Sequence, residues 1–399
     1  MFLRKESRKM KISAVISEFN PFHKGHKFII DKMRENGATH IVAVMSGNFV
    51  QRGESAVFSK WERARACLEN GVDLVVENPL VFATASAQRF AFGGVGVIKG
   101  LGCVNELSFG SESGNIDELV KVSEIIEKDE FFAVTLKFLN DGLSYPKARE
   151  MAIREQFGDN FGNILSSPNN ILACEYISEC KKAGLDVDFY TIRRESVDHD
   201  STNENNGFYS ASLLREIIRN NEKSDDEIFE SYRNNCKVKD FTRLEAAILV
   251  KLRNFTEDDF KNLPDVSEGM ENRLYSAAQK ACSLSEFFEL VKTKRYTLSR
   301  IRRICLCALL GIEKEDVERE VPYVRVIGFN DKGREILKTA REKATLPIVM
   351  KYSDIKELDD NAKRIFDIES FATDIFVLTG EKNLPCGLEK TENIVIIKK

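Results

Sequence analysis

The sequence lacks the residue patterns that mark several classes of protein. Its nine cysteines include no C-x-x-C pair and its histidines number only four, so neither a disulfide framework nor a zinc site is expected. No run of about 18 apolar residues occurs, so no membrane-spanning helix is expected. The first nine residues are polar and basic, and no apolar stretch of signal-peptide length follows them. We therefore expect a cytoplasmic protein.

An excess of charge of either sign is also missing. The chain has 59 Lys and Arg against 63 Asp and Glu, a net charge of −4, so any surface for nucleic acid has to be a local patch. Its 43% hydrophobic and 31% charged residues are typical of a globular protein. At 399 residues the chain exceeds one typical core, which predicts two or three domains.

The first half of the chain alternates strand-like and helix-like apolar patterns. Strands are predicted at residues 12–19, 41–45, 72–76, 106–109 and 186–192. Helices are predicted between them, at residues 27–36, 59–70, 85–101, 116–128 and 170–183. Such alternation predicts an α/β fold with a Rossmann-like, doubly wound parallel sheet.

The second half of the chain has a different pattern. Residues 195–209 form a polar loop that is either a mobile flap over the site or a linker, and residues 225–311 are helical in pattern. Short β-like runs return at 324–329, 346–349, 375–378 and 394–397, which predicts a small C-terminal α/β module. The predicted regions are therefore a nucleotide-binding catalytic domain at 10–222, a helical region at 223–322 and the module at 323–399.

The turn between the first predicted strand and helix has the composition of a phosphate site. It contains His23 and His26 three residues apart, with Gly25 between them. Gly25 would let backbone approach a ligand closely, and the helix start would offer unpaired N–H groups and a positive dipole end to an anion. The imidazoles could donate hydrogen bonds to phosphate oxygens. Taken alone, the motif could equally be a tight turn with two surface histidines.

Other polar segments follow the later strands and should lie at the same sheet edge. Residues 45–54, with two glycines and one arginine, have the composition of a substrate loop or of a generic connection. Lys60 in the first turn of the next helix has the wrong charge for the helix dipole, which favours an anion facing it. Gly110 after the fourth strand would suit close passage of an adenine or ribose over the backbone.

A second anion site is predicted at a helix start near residue 210. Ser210 and Ser212 are possible N-caps, and Arg215 follows one turn later. Arg193 and Arg194 end the fifth strand, where arginines are either solvated or bind phosphate. A capping serine alone would be structural, but together with the histidine turn this segment suggests the second half of a triphosphate site.

A basic segment follows in the helical region. Tyr296 lies inside it and could stack on a base, while the cations could contact phosphates. The alternative is an amphipathic helix with a solvated basic face, whose apolar stripe begins with Ile301 and Ile304. The basic residues of this segment are Lys292, Lys294, Arg295, Arg300, Arg302 and Arg303.

These motifs carry a resemblance to a known family. The strings Phe22-His23-Lys24-Gly25-His26 and Ser210-Ala211-Ser212-x-x-Arg215 resemble those of the nucleotidylyltransferase superfamily. Longer strings, in the order of the chain, are similar to those of the bacterial tRNA(Met) cytidine acetate ligases. They lie at residues 18–26, 45–54, 71–77, 109–112, 168–172 and 292–296, and the resemblance spans roughly residues 10 to 335.

The resemblance implies an ATP-dependent, AMP-forming ligase. Such an enzyme would activate acetate as acetyl-adenylate and pass the acetyl group to N4 of the wobble cytidine, position 34, of elongator tRNA(Met), with Mg²⁺ bridging the phosphates. His23, His26 and Arg215 would be catalytic. The segment 292–303 would bind the RNA.

The same resemblance implies the residues that contact ATP. It leaves open whether Asn169 or Asn170, and whether Arg193 or Arg194, makes the contact. The implied set is Ile16, Ser17, Glu18, Phe19, Asn20, Pro21, Phe22, His23, Lys24, Gly25, His26, Lys27, Phe28, Ile29, Gly110, Asn170, Arg193, Arg194 and Ser212.

Two other functions remain alternatives at this point. A small-molecule adenylyltransferase would use the same turn, but this function would not explain the residues beyond Asn220 or the basic segment. A non-catalytic nucleotide sensor or RNA-binding protein could retain the fold, and the intact His23, His26 and Arg215 argue against it. The oligomeric state is left open.

Overall fold

The chain is built around one sheet of eight strands. A computed structural model describes residues 10–194, 209–267 and 269–398, so the polar loop at 195–209 lies outside the described residues except for Tyr209. Two further strands, β3 (Phe49–Val50) and β4 (Glu54–Ser55), pair as a separate hairpin. The sheet contains β1 (Ile12–Ser17), β2 (His40–Ser46), β5 (Leu74–Asn78), β6 (Glu106–Ser111), β7 (Asp188–Arg193), β8 (Val324–Phe329), β9 (Ile348–Val349) and β10 (Val395–Ile396).

The strand order confirms the predicted doubly wound fold. The order is β10-β8-β5-β2-β1-β6-β7, with β9 beside β8, and every pair is parallel except β5 with β8. From β1 the chain adds β2 and β5 on one side and then β6 and β7 on the other. Ligands in such sheets bind at the carboxyl ends of the strands where the order reverses, which here is beside β1 and β6.

The C-terminal region contributes strands to this same sheet. β8 and β10 extend it beyond β5, so residues 323–399 share a sheet with the first region. The prediction of a strand at 375–378 is wrong, because a helix and a short 3₁₀ turn occupy these residues. Its apolar residues Phe376 and Val377 are buried on helical backbone, and a short apolar run does not distinguish a strand from a buried helix. The division at residues 222 and 322 stays a prediction.

Helices cover both faces of the sheet. Those of the first region are α1 (Lys24–Glu35), α2 (Lys60–Glu69), α3 (Leu80–Ala83), α4 (Ala87–Leu101), α5 (Ile116–Ile125), α6 (Asp129–Asn140), α7 (Tyr145–Phe157), α8 (Asp159–Ile164), α9 (Pro168–Lys182) and α10 (Ala211–Arg219). The sequence pattern did not predict α6, α7 and α8.

The rest of the described chain is mostly helical. Two 3₁₀ turns, Phe241–Leu244 and Val377–Thr379, accompany the α-helices. Among the described residues, no helix combines the length and the apolar character needed to cross a membrane. The α-helices are α11 (Glu227–Arg233), α12 (Glu245–Arg253), α13 (Glu257–Lys261), α14 (Met270–Lys280), α15 (Leu284–Val291), α16 (Leu298–Leu310), α17 (Lys314–Glu318), α18 (Asp331–Lys343), α19 (Tyr352–Ile355), α20 (Asp360–Phe376) and α21 (Leu388–Thr391).

Successive residues of the central strands enter two different cores. On β2, Val42 and Val44 pack into the larger core, with α4, α9 and the later helices. Their neighbours Ile41 and Ala43 pack into the smaller core, with α1, α2, α10 and α11. Because side chains alternate across a strand, the unbroken apolar run of β2 is what burial on both faces requires.

A buried ionic cluster joins the C-terminal segment to the first region. Lys60 is 1% exposed, and its Nζ lies 2.7 Å from Glu77 Oε2 on β5 and 2.8 Å from Glu389 Oε2 on α21. The anion expected to face Lys60 is therefore a pair of carboxylates from its own chain. Thr373 donates to the same Glu389 at 2.8 Å, which brings α20 into the cluster.

Removal of the Lys60 cation should destabilise the fold strongly. In Lys60→Met, Glu77 and Glu389 stay buried without their cation, so we expect the free energy of unfolding to fall by about 3–5 kcal/mol. Urea unfolding followed by circular dichroism measures this. Lys32→Met breaks an exposed pair with Glu35 and should change stability little. A small effect of Lys60→Met would contradict a structural role for the cluster.

Glu369, a buried carboxyl of α20 near this cluster, should make stability fall as the pH rises. Burial, and then the charge of Glu77, raise the pKa of Glu369 from 4.5 to about 8. Between these two values the folded state holds a proton that the unfolded state has lost, so the free energy of unfolding decreases with pH. Glu369→Gln should remove this contribution to the decrease of the free energy of unfolding with pH. Denaturant unfolding at several pH values measures the change. An unchanged slope would refute the assignment to Glu369.

Candidate active site

A cavity of about 280 Å³ opens at the carboxyl ends of β1 and β6. Its walls come from the turn after β1, the β3–β4 hairpin, β6, and the starts of α9 and α10. The sequence motifs predicted to meet at one sheet edge therefore do meet. The implied ATP-contacting residues that line the cavity, together with Arg215, are Ile16, Ser17, Glu18, Phe19, Asn20, His23, His26, Ile29, Gly110, Arg194 and Ser212.

His23 begins α1 as its N-cap and is held in one orientation. Its Nδ1 accepts a hydrogen bond from the Gly25 N–H at 3.0 Å, which leaves Nε2 to carry the proton of a neutral ring. Burial, followed by the charges of Arg194 and Arg215, lowers the pKa of His23 to about 3. His23 is therefore neutral at physiological pH and can donate from Nε2.

His26 lies against His23 on the next turn of the helix. The two ring centroids are 3.9 Å apart, and Phe19 meets the His26 ring edge-on at 4.9 Å. Burial, and then His23, lower the pKa of His26 well below its ordinary value of 6.5. Its Nδ1 is buried without a hydrogen-bond partner among the described residues, as expected of a group that awaits a ligand.

The backbone at the start of α1 differs from the expectation. The Lys24 N–H donates to Asp226 Oδ2 at 2.9 Å, the Gly25 N–H donates to His23, and the next two N–H groups donate to the His23 carbonyl. The helix start therefore offers an anion no unpaired N–H group. Glycine was expected at position 25 to let a ligand approach the backbone. In the structure it avoids a steric clash, because a Cβ there would lie 2.9 Å from the His23 ring.

Arg215 and its neighbours form a cationic wall opposite the histidines. Arg215 is 8% exposed, and it donates to the Asn20 carbonyl at 2.8 Å and to Ser212 Oγ at 3.0 Å. Arg52, from the hairpin, reaches the same Ser212 Oγ at 3.5 Å. Burial, and then Arg52, lower the pKa of Arg215. Within the described chain, neither arginine has a carboxylate at ion-pair distance, which suits an incoming anion.

The structure shows which residue of each neighbouring pair, Asn169 or Asn170 and Arg193 or Arg194, lines the cavity. Arg194 lines the cavity and donates to Asn169 Oδ1 at 2.8 Å, and Asn169 also lines the cavity. Arg193 is exposed and lies outside the lining. Asn170 is buried, and its Oδ1 accepts from the N–H groups of the loop that follows β6. Asn170 and Arg193 therefore do not line the cavity, and their contact with a nucleotide stays a prediction.

Six further residues implied to contact ATP do not line the cavity. Phe22 is fully buried beneath the turn, and Lys27 pairs with Asp31 along the helix surface. These residues support or flank the turn but do not face the cavity. The six are Pro21, Phe22, Lys24, Gly25, Lys27 and Phe28.

An apolar wall was missed by the sequence reasoning. Tyr176 and Leu172 from α9, with Phe90 from α4 and Phe109 from β6, line the cavity. Flat apolar walls of this kind suit a nucleotide base. Tyr176 and Leu172 fall on a helix whose apolar spacing is equally well explained by the core, so no local signal marks them as ligand-facing.

One buried arginine fixes the strand ends beneath the cavity. Arg63 of α2 is fully buried and donates to the carbonyls of Glu18, Ser46, Gly47 and Phe58. These carbonyls belong to the chain after β1, after β2 and before α2. Charge-assisted hydrogen bonds to four carbonyls hold the two loops that form the cavity floor.

The basic segment is divided in the structure. Lys292, Lys294 and Arg295 are exposed before α16 begins at Leu298. The arginines on α16 contact the protein itself: Arg300 donates to the Asp265 carbonyl at 2.8 Å, Arg302 pairs with Glu54 on the hairpin, and Arg303 pairs with Asp265 at 2.6 Å. Tyr296 is 8% exposed within the core, so its ring is not available for stacking on a base.

Comparison with known proteins identifies relatives over nearly the whole chain. The sequence model of the HIGH Nucleotidyl Transferase family matches residues 10–388. The tRNA(Met) cytidine acetate ligase of Thermoanaerobacter sp. (strain X514) is 39% identical over 402 residues, covering 95% of this chain and 98% of that protein. The protein of that name from Acetivibrio thermocellus is 36% identical, covering 97% of this chain and 100% of its own.

Solved structures agree with these sequence relatives. The crystal structure of Thermotoga maritima TmcAL in its apo form superposes with a TM-score of 0.90 at 34% identity, covering 98% of this chain and 100% of that one. Its complex with alpha-thio ATP gives a TM-score of 0.88 with the same coverage. The chain therefore belongs to the HIGH nucleotidyl transferase family and, within it, to the tRNA(Met) cytidine acetate ligases.

Proposed function

We propose that this protein joins acetate to a cytidine of tRNA(Met) at the expense of ATP, through an acetyl-adenylate. The observation that carries the proposal is a cavity lined by two neutral histidines and by arginines that form no ion pair with a carboxylate of the described chain. Its family relatives are named for this reaction. The proposed product is N4-acetylcytidine at position 34 of elongator tRNA(Met).

In the first step an acetate oxygen attacks the α-phosphorus of ATP and pyrophosphate leaves. Negative charge grows on the phosphate oxygens during this in-line displacement, and no covalent intermediate with the enzyme is needed. His23 donates from Nε2, and Arg215, fixed by Asn20 and Ser212, supplies positive charge. Because burial keeps these groups out of water, their interaction with the developing charge is strong.

Mg²⁺ would enter this site with the nucleotide. The described residues contain no group of three His, Cys, Asp or Glu side chains that could hold a metal ion. The ion would therefore bind to phosphate oxygens of ATP, as it does at many phosphoryl-transfer sites, and would neutralise part of their charge.

The tRNA would approach from the side of the hairpin and α16. The exposed Lys292, Lys294 and Arg295 lie just before α16, and Arg302 of this helix pairs with Glu54 of the hairpin that lines the cavity. RNA bound by these cations would thus lie next to the cavity. ATP and tRNA are cytoplasmic, and we place the reaction there.

Two measurements on the purified protein test the proposal. With ATP and acetate, radiolabelled pyrophosphate should exchange into ATP without RNA. With tRNA(Met) added, mass spectrometry of the digested RNA should find acetylcytidine. Exchange with acetyl transfer to a small nucleotide instead would indicate a small-molecule enzyme, and absence of exchange would reject adenylation.

His26→Ala should abolish adenylate formation and leave the fold intact. The ring lies beside His23 with an unpartnered Nδ1, so its loss removes a group that faces the phosphates without disturbing an internal hydrogen bond. We expect pyrophosphate exchange to fall by a factor of about 10²–10³. His40→Ala removes an imidazole at the amino end of β2 and should leave exchange unchanged. Near-normal exchange in His26→Ala would exclude a catalytic role.

Charge reversal at the exposed cations should weaken tRNA binding only. In the double variant Lys294→Glu and Arg295→Glu, phosphate contacts become repulsions, and each lost contact also reduces the salt dependence of binding. Filter binding of tRNA at several salt concentrations measures the effect, and the affinity for ATP should not change. Arg302 is less suitable for this test because its reversal would also break the pair with Glu54. Unchanged tRNA affinity at low salt would contradict the assignment.

A further inference from the structure

Glu18 lines the cavity among the residues implied to contact ATP, but the adenylation step described above gives its carboxylate no role. Of the described residues that line the cavity, it is the only one with a carboxylate. It follows β1 directly, and the Gln51 N–H of the hairpin donates to its Oε1 at 2.9 Å. Arg63 holds its main-chain carbonyl from below. One hydrogen bond therefore holds the side chain of Glu18 and another holds its main chain.

A carboxylate is an unexpected group in this cavity. Arg52, Arg194 and Arg215 line the same space, and a site that only bound the phosphates of ATP would gain nothing from a negative charge among them. Glu18 makes no ion pair with any of these arginines in the described chain. Its second oxygen, Oε2, also has no hydrogen bond to a described residue. A fixed carboxylate with one free oxygen is well placed to accept a proton.

The second step of the proposed reaction requires a proton acceptor. The exocyclic amine of cytosine is conjugated with the ring and is only weakly nucleophilic. When N4 attacks the acetyl carbonyl, an N–C bond forms, the C–O bond to the phosphate breaks, and AMP leaves with the electron pair of that bond. One proton must also leave N4, and a carboxylate beside the acetyl group can take it while AMP leaves as the dianion.

The other titratable groups of the cavity are poor acceptors. Nδ1 of His23 already accepts from Gly25, and the low pKa of both histidines makes them weak bases. The arginines are protonated and can only donate. Tyr176 is a neutral phenol because burial raises its pKa. Among the titratable groups of the described chain that line the cavity, this leaves the Glu18 carboxylate as the proton acceptor.

We propose that Glu18 is the general base of acetyl transfer, taking the proton from the exocyclic amine of the cytidine while the acetyl group moves from adenylate to nitrogen. This assignment rests on the proposed function. The charge of Glu18 partly offsets the lowering of the pKa of Arg215, so its carboxylate is near the cation proposed to bind the phosphates. The hairpin that fixes Glu18 is also the element paired with α16, from which the RNA would approach.

Glu18→Gln separates the two steps of the reaction. Glutamine keeps an Oε1 that accepts from the Gln51 N–H, so the local structure is retained while the base is removed. We expect pyrophosphate exchange with ATP and acetate to fall far less than acetyl transfer, because the side chain keeps its size and its hydrogen bond to Gln51. Acetyl transfer to tRNA(Met) in a single turnover should slow by about 10²–10⁴-fold, the usual contribution of a general base.

Hydroxylamine provides the second readout. It is nucleophilic enough to attack an acetyl-adenylate without a base, and it forms acetyl hydroxamate. With ATP, acetate and hydroxylamine, Glu18→Gln should keep the same fraction of hydroxamate formation as of pyrophosphate exchange, and this remaining activity shows that the variant is folded. Glu35→Gln, an exposed change at the far end of α1, is the matched control and should leave both steps unchanged.

Each result decides the question. Normal acetyl transfer by Glu18→Gln would overturn the assignment, and so would loss of exchange and hydroxamate together, since Glu18 would then serve nucleotide binding or folding. Failure of the unaltered protein to exchange pyrophosphate would instead reject the proposed function itself. Selective loss of transfer to RNA, with hydroxamate formation intact, supports the proposal.

Discussion

The hydrogen bonds of the Arg63 guanidinium are the interaction on which the geometry of the site depends. They join the chain ends that leave β1 and β2 to the start of α2, and they use main-chain carbonyls instead of carboxylates. Burial lowers the pKa of Arg63 to about 10, so it remains charged at neutral pH. Burial of the Arg63 cation without hydrogen bonds to these carbonyls would cost much free energy. The two loops are therefore held in the arrangement in which their carbonyls accept these hydrogen bonds.

The charge distribution of the cavity follows from this arrangement. The two histidines line the cavity with Arg194 and Arg215, and burial, followed by neighbouring charges, lowers the pKa of both imidazoles. The result is a set of hydrogen-bond donors with a net positive charge, and such fixed donors can stabilise a developing phosphate charge. Of the described residues that line the cavity, Glu18 alone has a carboxylate.

Contacts distant in sequence connect this site to the rest of the chain. Asp226, the N-cap of α11, binds the Lys24 N–H, and Tyr232 in the last turn of α11 binds the Phe22 carbonyl. On the other side of the hairpin, Gly53 has φ +77, and a Cβ there would lie 2.5 Å from the backbone of α16. The hairpin thus packs directly on the helix beside the exposed cations. Movement of α16 would be transmitted to the cavity wall through this contact.

The local pattern of the sequence determined the α/β alternation and the main motifs proposed to bind phosphate. Apolar periodicity predicts strands and helices because burial on one or two faces dictates it, and His23, His26, Ser212 and Arg215 belong to short strings whose spacing alone suggests anion binding. The tertiary structure decided which neighbour enters the cavity: Arg194 and Asn169 do, while Arg193 and Asn170 do not. Such choices depend on the direction of a single side chain at the end of a strand or helix, which periodicity does not specify.

Charge pairing was likewise decided only by the tertiary structure. The basic segment appeared uniform in the sequence, yet Arg302 and Arg303 pair with Glu54 and Asp265, while Lys294 and Arg295 remain exposed. The strands of residues 323–399 also join the first sheet, on the far side of β5. Partners separated by tens to hundreds of residues leave no local pattern. The local pattern of the sequence therefore predicts the secondary-structure elements and the motifs of this protein. Packing between residues distant in sequence decides which of these residues line the cavity.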